Sequence, residues 1–242
     1  MNQSERRPSS RCSRWRRRVG VVWCVALMVS FAACSDDDAG NNGTPEEVLA
    51  AAKVALDETS GVTLSLTTKQ LPEGVDGVLE ATGLATHAPA FDGDLVMVIN
   101  GLNVDVPVVS VDGSVYAKLP FTITFAEVNP ADYGAPDPAQ LMDPKTGLST
   151  WLVDATDIAQ GERVRSGDLV LNSYTGVLSG EVVDASISSA DESADFPVTF
   201  QIDDDGRLRT VEITGPFYES KGSVDYTVSV DDYGTATDIT KP

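Results

Sequence analysis

Cysteine and histidine are both scarce in this sequence. Its 242 residues include three cysteines and a single histidine, His87. One histidine excludes zinc sites built from clustered imidazoles. The Gly-x-Ser-x-Gly, Gly-x-Gly-x-x-Gly and Walker-type patterns are absent as well. Enzymatic function therefore has no positive support, and we interpret His87, in the turn-like sequence 86–89, as a loop histidine, with catalysis as the alternative.

Basic residues are few outside the first segment of the chain. The whole sequence has 17 Lys and Arg against 37 Asp and Glu. Seven of the basic residues but only one acid lie in residues 1–33, so residues 34–242 hold ten basic and 36 acidic residues, a net charge of −26. Nucleic-acid affinity comes mainly from Lys and Arg on phosphates. This charge therefore excludes nucleic acid as a main partner.

The abundant carboxylates do not form a recognisable metal or acid–base motif. The run Asp203-Asp204-Asp205-Gly206 lacks the alternating spacing of a calcium loop, and we interpret it as a hairpin turn. Because acids are frequent throughout, no pair of them stands out as a general acid and base. The sequence thus predicts no metal, no cofactor and no catalytic residue.

No apolar run is long enough for a permanent membrane span. Residues 19–33 are apolar or small, but fifteen residues fall short of the roughly 20 that cross the hydrocarbon core. An Arg-rich segment precedes them, which is typical of a secretory signal peptide, here over residues 1–33. The run Arg16-Arg17-Arg18 leaves open whether export follows the general or the twin-arginine route.

A cysteine follows this signal directly, since Ala32-Ala33 precede Cys34. The arrangement resembles the bacterial lipobox, in which the cysteine thiol receives diacylglycerol and becomes the first mature residue; Phe31 stands where leucine is more usual. Acyl chains such as palmitate would anchor the protein to the outer face of the cell membrane, on the periplasmic side. Residues 34–43 would be the acylated cysteine and a flexible acidic tether. The alternative is an ordinary cleaved signal with an unrelated cysteine.

Residues 44–242 are predicted to form a single domain that opens with a helix. Thr44 and Glu47 form a capping box, with proline at the first helical position between them. An apolar stripe at helical spacing follows, and we expect the amphipathic helix to cover about 45–58.

After this helix the hydrophobic period changes to two, which indicates strands with one buried face. Dipeptide and tripeptide turn signals separate the strands. The alternating apolar residues are Val62, Leu64 and Leu66; Leu95, Met97 and Ile99; Phe196, Val198, Phe200 and Ile202; and Val224, Tyr226, Val228 and Val230. The turn signals are Asp112-Gly113, Ser166-Gly167-Asp168 and Asp205-Gly206.

Helical patterns are few and short among these strands. A Pro- and Asp-rich stretch, 129–147, contains a helix start at Asp137-Pro138. Residues 148–155 predict a short amphipathic helix that exposes Ser149 and Asp154. The predicted class is therefore α+β with a large antiparallel sheet.

Two sequence blocks carry a family resemblance. The first is Asp112-Gly113-Ser114-Val115-Tyr116-Ala117, and the second, from Asp137, reads Asp-Pro-Ala-Gln-Leu-Met-Asp-Pro-Lys-Thr-Gly-Leu. In the same order, Asp-Gly-x-x-Tyr-Ala and Asp-Pro-x-Thr-Gly-Leu blocks occur in the mycobacterial and actinobacterial lipoproteins grouped as LppX, LprA, LprF and LprG. The lipobox and the tail 240–242 fit the same pattern. The chain resembles this family, most nearly its LprG-like members, along essentially the whole mature sequence.

The resemblance implies a fold and a function. The fold is a single antiparallel sheet curved into a half-barrel, similar to the Gram-negative carriers LolA and LolB, with helices on its concave face around a large apolar cavity. Members bind multi-acyl lipids, such as acylated glycolipids or triacylglycerol, and help to move them from the inner membrane to the outer envelope. An efflux-type membrane transporter is the partner that the resemblance suggests.

Candidate cavity residues lie on one predicted strand and on the short helix. Leu95, Met97 and Ile99 form the apolar face of their strand, and the family resemblance places a cavity-facing position at Leu95. Trp151 and Leu152 are weaker candidates, for a lid over the cavity. The alternative is that all five side chains simply fill a closed core, since lining and core are equally apolar.

Three functions follow from these observations. The first is a lipid-binding and lipid-transfer lipoprotein. The second is a non-carrier interaction protein with a filled core, accessory to an envelope transporter. The third is a cell-wall enzyme with an unrecognised site, which would depend on His87.

Overall fold

A computed structural model describes residues 43–218 and 221–242. The predicted signal peptide, the lipidation site Cys34 and almost all of the predicted tether lie outside these residues. In the part of the chain that the structure describes, no helix is both long and apolar enough to cross a membrane.

The first helix, α1 (Pro45–Glu58), begins and ends at the residues that the sequence predicts. Thr44 accepts a hydrogen bond from the Glu47 amide at 3.3 Å, and the Glu47 carboxylate accepts one from the Thr44 amide at 2.9 Å. The capping box therefore satisfies two amides that a helix start would otherwise leave without partners.

Eleven strands follow, and all of them belong to one antiparallel sheet. Their bounds are β1 Gly61–Thr67, β2 Gly77–Thr86, β3 Ala90–Ile99, β4 Leu102–Val111, β5 Ser114–Ala117, β6 Ala126–Val128, β7 Thr156–Ser166, β8 Leu169–Ser179, β9 Asp195–Asp203, β10 Leu208–Gly215 and β11 Val224–Asp231. The predicted turns at 112–113, 166–168 and 205–206 connect neighbouring strands of this sheet.

The sheet consists of two meanders that meet at its centre. Strands β1 to β6 form one half and strands β7 to β11 the other, and β1 pairs with β11 between them. In this central pair Leu64 lies opposite Val230, so residues far apart in the sequence share one register. The α+β class with a single large antiparallel sheet, predicted from the period-two pattern, is confirmed.

The connection between the two halves carries the short helices. It includes two 3-10 helices, Pro130–Tyr133 and Pro138–Met142, followed by α2 (Leu148–Asp154). A further short helix, α3 (Gly180–Asp184), follows β8 and was not predicted from the sequence. These helices and α1 pack on one face of the sheet, where the buried apolar residues form a continuous core.

One feature predicted for α2 is wrong. Asp154 is exposed as expected, but Ser149 is buried. The reason is that α2 packs against α1, where Lys53 Nζ lies 3.3 Å from Ser149 Oγ and 2.7 Å from Asp57 Oδ2. A polar residue with a partner on the neighbouring helix can occupy a buried position that periodicity alone assigns to solvent.

Candidate functional site

The segment between β6 and α2, residues 129–147, crosses the helix-bearing face of the sheet, and we refer to it as the strap. Its second 3-10 helix, Pro138–Met142, contacts β2, β3 and β4. Pro138, Ala139, Leu141 and Met142 are buried there. The strap therefore closes the space between the sheet and the helices from one side.

The second family-like block holds the strap in place through its first aspartate. Asp137 Oδ1 accepts a 2.6 Å hydrogen bond from the hydroxyl of Ser110 on β4 and a 3.0 Å bond from the amide of Ala139. One carboxylate oxygen thus caps the 3-10 helix and joins it to the sheet. Ser110 is fully buried, so the donor side of this bond is shielded from solvent.

The end of the block has a steric requirement. A Cβ atom added to Gly147 would lie 2.5–2.7 Å from the carbonyl oxygens of Leu141, Asp143 and Gln140. The carbonyl of Gly147 also accepts a 3.0 Å hydrogen bond from the Thr150 hydroxyl in the first turn of α2. Glycine is the residue that lets the chain pass this close to three carbonyls on its way into the helix.

Two apolar chambers lie between the sheet and the strap. The central chamber has a volume of about 60 Å³, and its walls come from β1, β2, β3, β10, β11, the strap, α2 and the segments 187–189 and 217–218. The wing chamber has a volume of about 30 Å³ and lies between β3, β4, β5, β6 and the strap. Three residues belong to both walls: Leu95, Pro136 and Pro138. Leu95 of the sheet and the two strap prolines therefore separate the chambers.

The chambers are much smaller than the large cavity that the family resemblance implies. A usual ligand pocket has roughly 300–1,000 Å³, whereas these two have about 60 and 30 Å³. In the described form, side chains from the sheet and the strap fill most of the space. At these volumes neither chamber has room for a long acyl chain.

The structure places the sequence-predicted residues around these chambers. Leu95, Met97 and Ile99 line the wing chamber, and Leu95 also lines the central one. Trp151 is fully buried and lines the central chamber. Leu152 is buried in the core but belongs to neither chamber wall. That these residues contact lipid remains a prediction.

Trp151 has an unusual hydrogen-bonding state. Its indole Nε1 is buried and, among the described residues, has no hydrogen-bond partner. A buried N–H without a partner costs about 1–3 kcal/mol. The wall of the central chamber thus includes a tryptophan whose indole N–H has no partner among the described residues.

Sequence reasoning missed a tyrosine pair at the other side of the central chamber. Tyr226 donates a 2.7 Å hydrogen bond to the carbonyl of Val78, and its oxygen lies 2.9 Å from that of Tyr218. Val78 stands next to a bulge in β2, where the pairing with β3 shifts. Burial raises the pKa of Tyr226 far above its usual value, and the neighbouring Tyr218 raises it further. The alternation of β11 predicts the burial of Tyr226 but not its partners.

His87 has a structural contact. It lies in the turn between β2 and β3, and its Nε2 is 2.5 Å from the carbonyl oxygen of Leu56 near the end of α1. This bond joins the turn to the helix and accounts for a histidine at this position. It agrees with the interpretation of His87 as a loop histidine.

The run of three aspartates forms the predicted hairpin turn between β9 and β10. Asp203 is buried; its Oδ1 accepts hydrogen bonds from the amides of Asp205 and Arg207, and its Oδ2 accepts a 2.7 Å bond from Arg209 Nε. Its oxygens are thus engaged within the turn. Within the described ranges, no three His, Cys, Asp or Glu side chains are grouped to hold a metal ion.

A surface groove of about 820 Å³ is lined by residues 67–72 on one side and by parts of β10 and β11 on the other. Lys69, Lys221, Glu212 and Asp225 give it a polar wall. Acyl chains need an apolar surface, so the two small chambers and not this groove form the candidate lipid site.

Comparisons with known proteins identify relatives of this chain. The chain is 25% identical over 236 residues to proteins described as "Lipoarabinomannan carrier protein LprG" from Mycobacterium tuberculosis and Mycobacterium bovis, covering 93% of this chain and 95% of the relative. The crystal structure of LprF from M. bovis superposes with a TM-score of 0.64 at 16% identity, covering 82% of this chain and 96% of LprF. That of LppX from M. tuberculosis gives a TM-score of 0.59 at 14% identity, covering 83% and 100%.

The family model described as "LppX_LprAFG lipoprotein" matches residues 44–239, which include the sheet, the strap and every helix of the described structure. The two solved structures share the fold of this chain over most of its length. The protein is a member of the LppX_LprAFG lipoprotein family.

Proposed function

We propose that this protein is a membrane-anchored carrier that binds multi-acyl lipids or glycolipids between its sheet and its strap. In this proposal it helps to transfer them from the inner membrane to the outer cell envelope, and an efflux-type transporter is its partner in the membrane. The observation that carries the proposal is the pair of apolar chambers that only Leu95 and two strap prolines separate. The name of the LprG relatives, lipoarabinomannan carriers, supports the same class of cargo.

The physical requirement for a carrier is an apolar interior, not a catalytic group. Each methylene moved out of water gains about 0.8 kcal/mol, so exposing a 16-carbon chain to water costs on the order of 12 kcal/mol. An interior as apolar as the bilayer removes most of this cost from the transfer. The walls of both chambers meet this requirement, since aliphatic, aromatic and proline side chains dominate them.

In this proposal an acyl chain enters when the strap moves away from the sheet. If Pro136 and Pro138 leave Leu95, the two chambers join into one trough along the face of the sheet. The strap would then release the bond between Ser110 and Asp137 and the 3.4 Å contact of Lys53 Nζ with the Pro144 carbonyl. Because the strap lacks pairing to a neighbouring strand, its displacement leaves the register of the sheet intact.

Native mass spectrometry with organic extraction tests the proposal. The protein is residues 35–242, without the acylated cysteine, made in an actinobacterial host; these residues contain the whole described core. We expect a multi-acyl lipid at one copy per protein, and its loss in Leu95→Trp, which fills the partition between the chambers. Val96→Trp is the matched control, because Val96 follows Leu95 on β3 but points to the opposite face. Protein without lipid, and no uptake of added glycolipid or triacylglycerol, would overturn the proposal.

The small chamber volumes favour one second candidate. If the space between the sheet and the strap stays filled, the protein would act as an accessory protein of an envelope transporter. Its surface, and not its interior, would then make the functional contact. In the same experiment this candidate gives protein without lipid under every condition. Leu95→Trp would then lower stability by about 1–3 kcal/mol through overpacking and change nothing else.

A further inference from the structure

The loop between β5 and β6, residues 118–125, carries the most exposed large apolar side chains in the described structure. Phe121 is as exposed as in an extended chain, at 107%, and Ile123 is 90% exposed. Large apolar side chains that project fully into water at neighbouring positions mark an interaction site. The sequence of this loop, Lys-Leu-Pro-Phe-Thr-Ile-Thr-Phe, is apolar at every second residue or closer.

The backbone holds these side chains outward in a defined turn. The Thr122 amide donates a 3.1 Å hydrogen bond to the Leu119 carbonyl, which the Thr122 hydroxyl also contacts at 2.7 Å. Pro120 occupies the second position of this turn, and Phe121 the third with a φ of +67°. In a type II turn that third position favours glycine. The ring of Phe121 lies in water, so no packing within the chain compensates for its unfavourable left-handed φ. This points to a contact outside the chain.

The loop also differs from the rest of the domain in charge. Residues 34–242 carry a net charge of −26, yet no acidic residue lies between Asp112 and Glu127. The base of the loop carries Lys118, one of only ten basic residues after the predicted signal peptide. The loop is therefore a part of this edge of the sheet that can approach a zwitterionic surface without adding a carboxylate to the contact.

The loop borders the candidate lipid site. Leu119, at its start, and Val128, just after it on β6, both line the wing chamber. The exposed tip at Phe121 is only two residues away from the chamber wall. An apolar surface that received this tip would thus lie beside the wing chamber.

We propose that the loop inserts Phe121 and Ile123 into the interfacial region of the lipid bilayer. The tip consists of only two exposed side chains. A protein partner needs a contact area of several hundred Å², whereas a deformable lipid surface can accommodate a tip of this size. The predicted anchor brings the domain within reach, because ten extended residues from Cys34 to the start of α1 span at most about 36 Å. The inference concerns the outer surface of the domain and is independent of whether the chambers ever accept lipid.

Tryptophan fluorescence gives a direct test with residues 35–242. Trp151 is the only tryptophan in this segment and is buried, so Phe121→Trp adds a single exposed reporter. With neutral phosphatidylcholine vesicles we expect a blue shift of the new emission and quenching by brominated acyl chains. Vesicles rich in anionic phosphatidylglycerol should bind more weakly, because the domain is strongly acidic.

Sedimentation with the same vesicles measures the contribution of the two side chains. We expect Phe121→Ser with Ile123→Ser to weaken binding at least about ten-fold, since membrane affinity follows buried apolar area. The matched control is Val164→Ser with Leu169→Ser, an exposed apolar pair on the β7–β8 hairpin at the opposite edge of the sheet, which should leave binding unchanged. Far-ultraviolet circular dichroism confirms that both double variants fold.

Equal binding by the two double variants would overturn the proposal, as would emission from the Phe121→Trp reporter that brominated lipid does not quench. Self-association that the loop variant abolishes, without vesicle binding by the parent protein, would identify a second copy of this chain as the partner instead. The carrier function is read separately, from lipid that copurifies with the loop variant. Copurified lipid without vesicle binding would support the carrier function and refute only the insertion of the loop into the bilayer.

Discussion

The hydroxyl of Ser110 donates a 2.6 Å hydrogen bond to Asp137 Oδ1, and this contact joins the sheet to the strap that covers both chambers. The bond is buried on the Ser110 side and connects residues 27 positions apart. Asp137 opens the second family-like block, so this bond gives that aspartate a physical role. The second family-like sequence block is therefore the segment that attaches the strap to the sheet.

Removing the hydrogen bond between Ser110 and Asp137 should loosen the strap. We expect Ser110→Ala to lower the free energy of unfolding by about 1–2 kcal/mol, because Asp137 loses a buried partner. It should also speed the uptake of a fluorescent long-chain acyl probe, since this hydrogen bond no longer opposes opening. Urea unfolding and stopped-flow fluorescence measure the two effects.

Ser114→Ala is the control for this variant. Ser114 also donates a hydrogen bond to a carboxylate, that of Glu127 at 3.0 Å, but this bond is exposed and joins two strands of the sheet instead of the sheet and the strap. Both its stability and its uptake rate should match the parent protein. Uptake that Ser110→Ala leaves unchanged while stability falls would show that the strap does not gate the chambers.

Gly147→Ala should be strongly destabilising. The added Cβ would meet three carbonyl oxygens at 2.5–2.7 Å, so the strap or α2 must shift to accept it. We expect a loss of about 2–4 kcal/mol in the free energy of unfolding, in the range of core overpacking and backbone distortion. Gly161→Ala on the exposed strand β7 is the control, since its Cβ would lie 3.4 Å or more from its nearest neighbours. A similar, small effect at both positions would contradict the steric role of Gly147.

Trp151→Phe should change stability little. The variant deletes an indole N–H that has no partner among the described residues, which offsets the packing lost with the smaller ring. We expect the free energy of unfolding to stay within about 1 kcal/mol of the parent, whereas Trp151→Ala should cost about 3–5 kcal/mol. Thermal unfolding by circular dichroism measures both. A loss of several kcal/mol in Trp151→Phe would contradict this prediction.

Buried tyrosines should make the protein sensitive to alkali. Burial raises the pKa of Tyr226, Tyr218 and Tyr233 above the usual value of 10. Above pH 10 the unfolded chain releases these protons while the folded protein keeps them, so the free energy of unfolding falls as pH rises. The expected slope is about 1 kcal/mol per pH unit for each tyrosine that stays protonated in the folded protein, and below about pH 9 their titration leaves the stability unchanged.

Urea unfolding at several pH values between about 8 and 12 measures this slope. Tyr226→Phe should reduce it, because one group no longer titrates. At neutral pH the same variant should lose about 1–2 kcal/mol, since the Val78 carbonyl loses its 2.7 Å donor. A free energy of unfolding that stays constant throughout this pH range would contradict the buried tyrosine pair.

The local elements of this protein could be predicted from its sequence because local interactions decide them. The capping box depends on two residues three positions apart, Thr44 and Glu47, and it correctly predicted where α1 begins. The period-two alternation gave the buried face of β9, where Phe196, Phe200 and their apolar neighbours are all buried. The acidity of residues 34–242 and the lipobox pattern at Cys34 are likewise properties of sequence alone.

Only the tertiary structure decided how these elements meet. The pairing of β1 with β11 brings Leu64 beside Val230, and no local signal specifies that partner. Ser149 is buried because Lys53 of another helix supplies a polar contact, which periodicity cannot indicate. The chamber volumes follow from side chains contributed by distant strands and the strap together, around Leu95. Packing of distant segments, unlike helix capping or strand alternation, has no period in the sequence, and it sets the space available to a ligand.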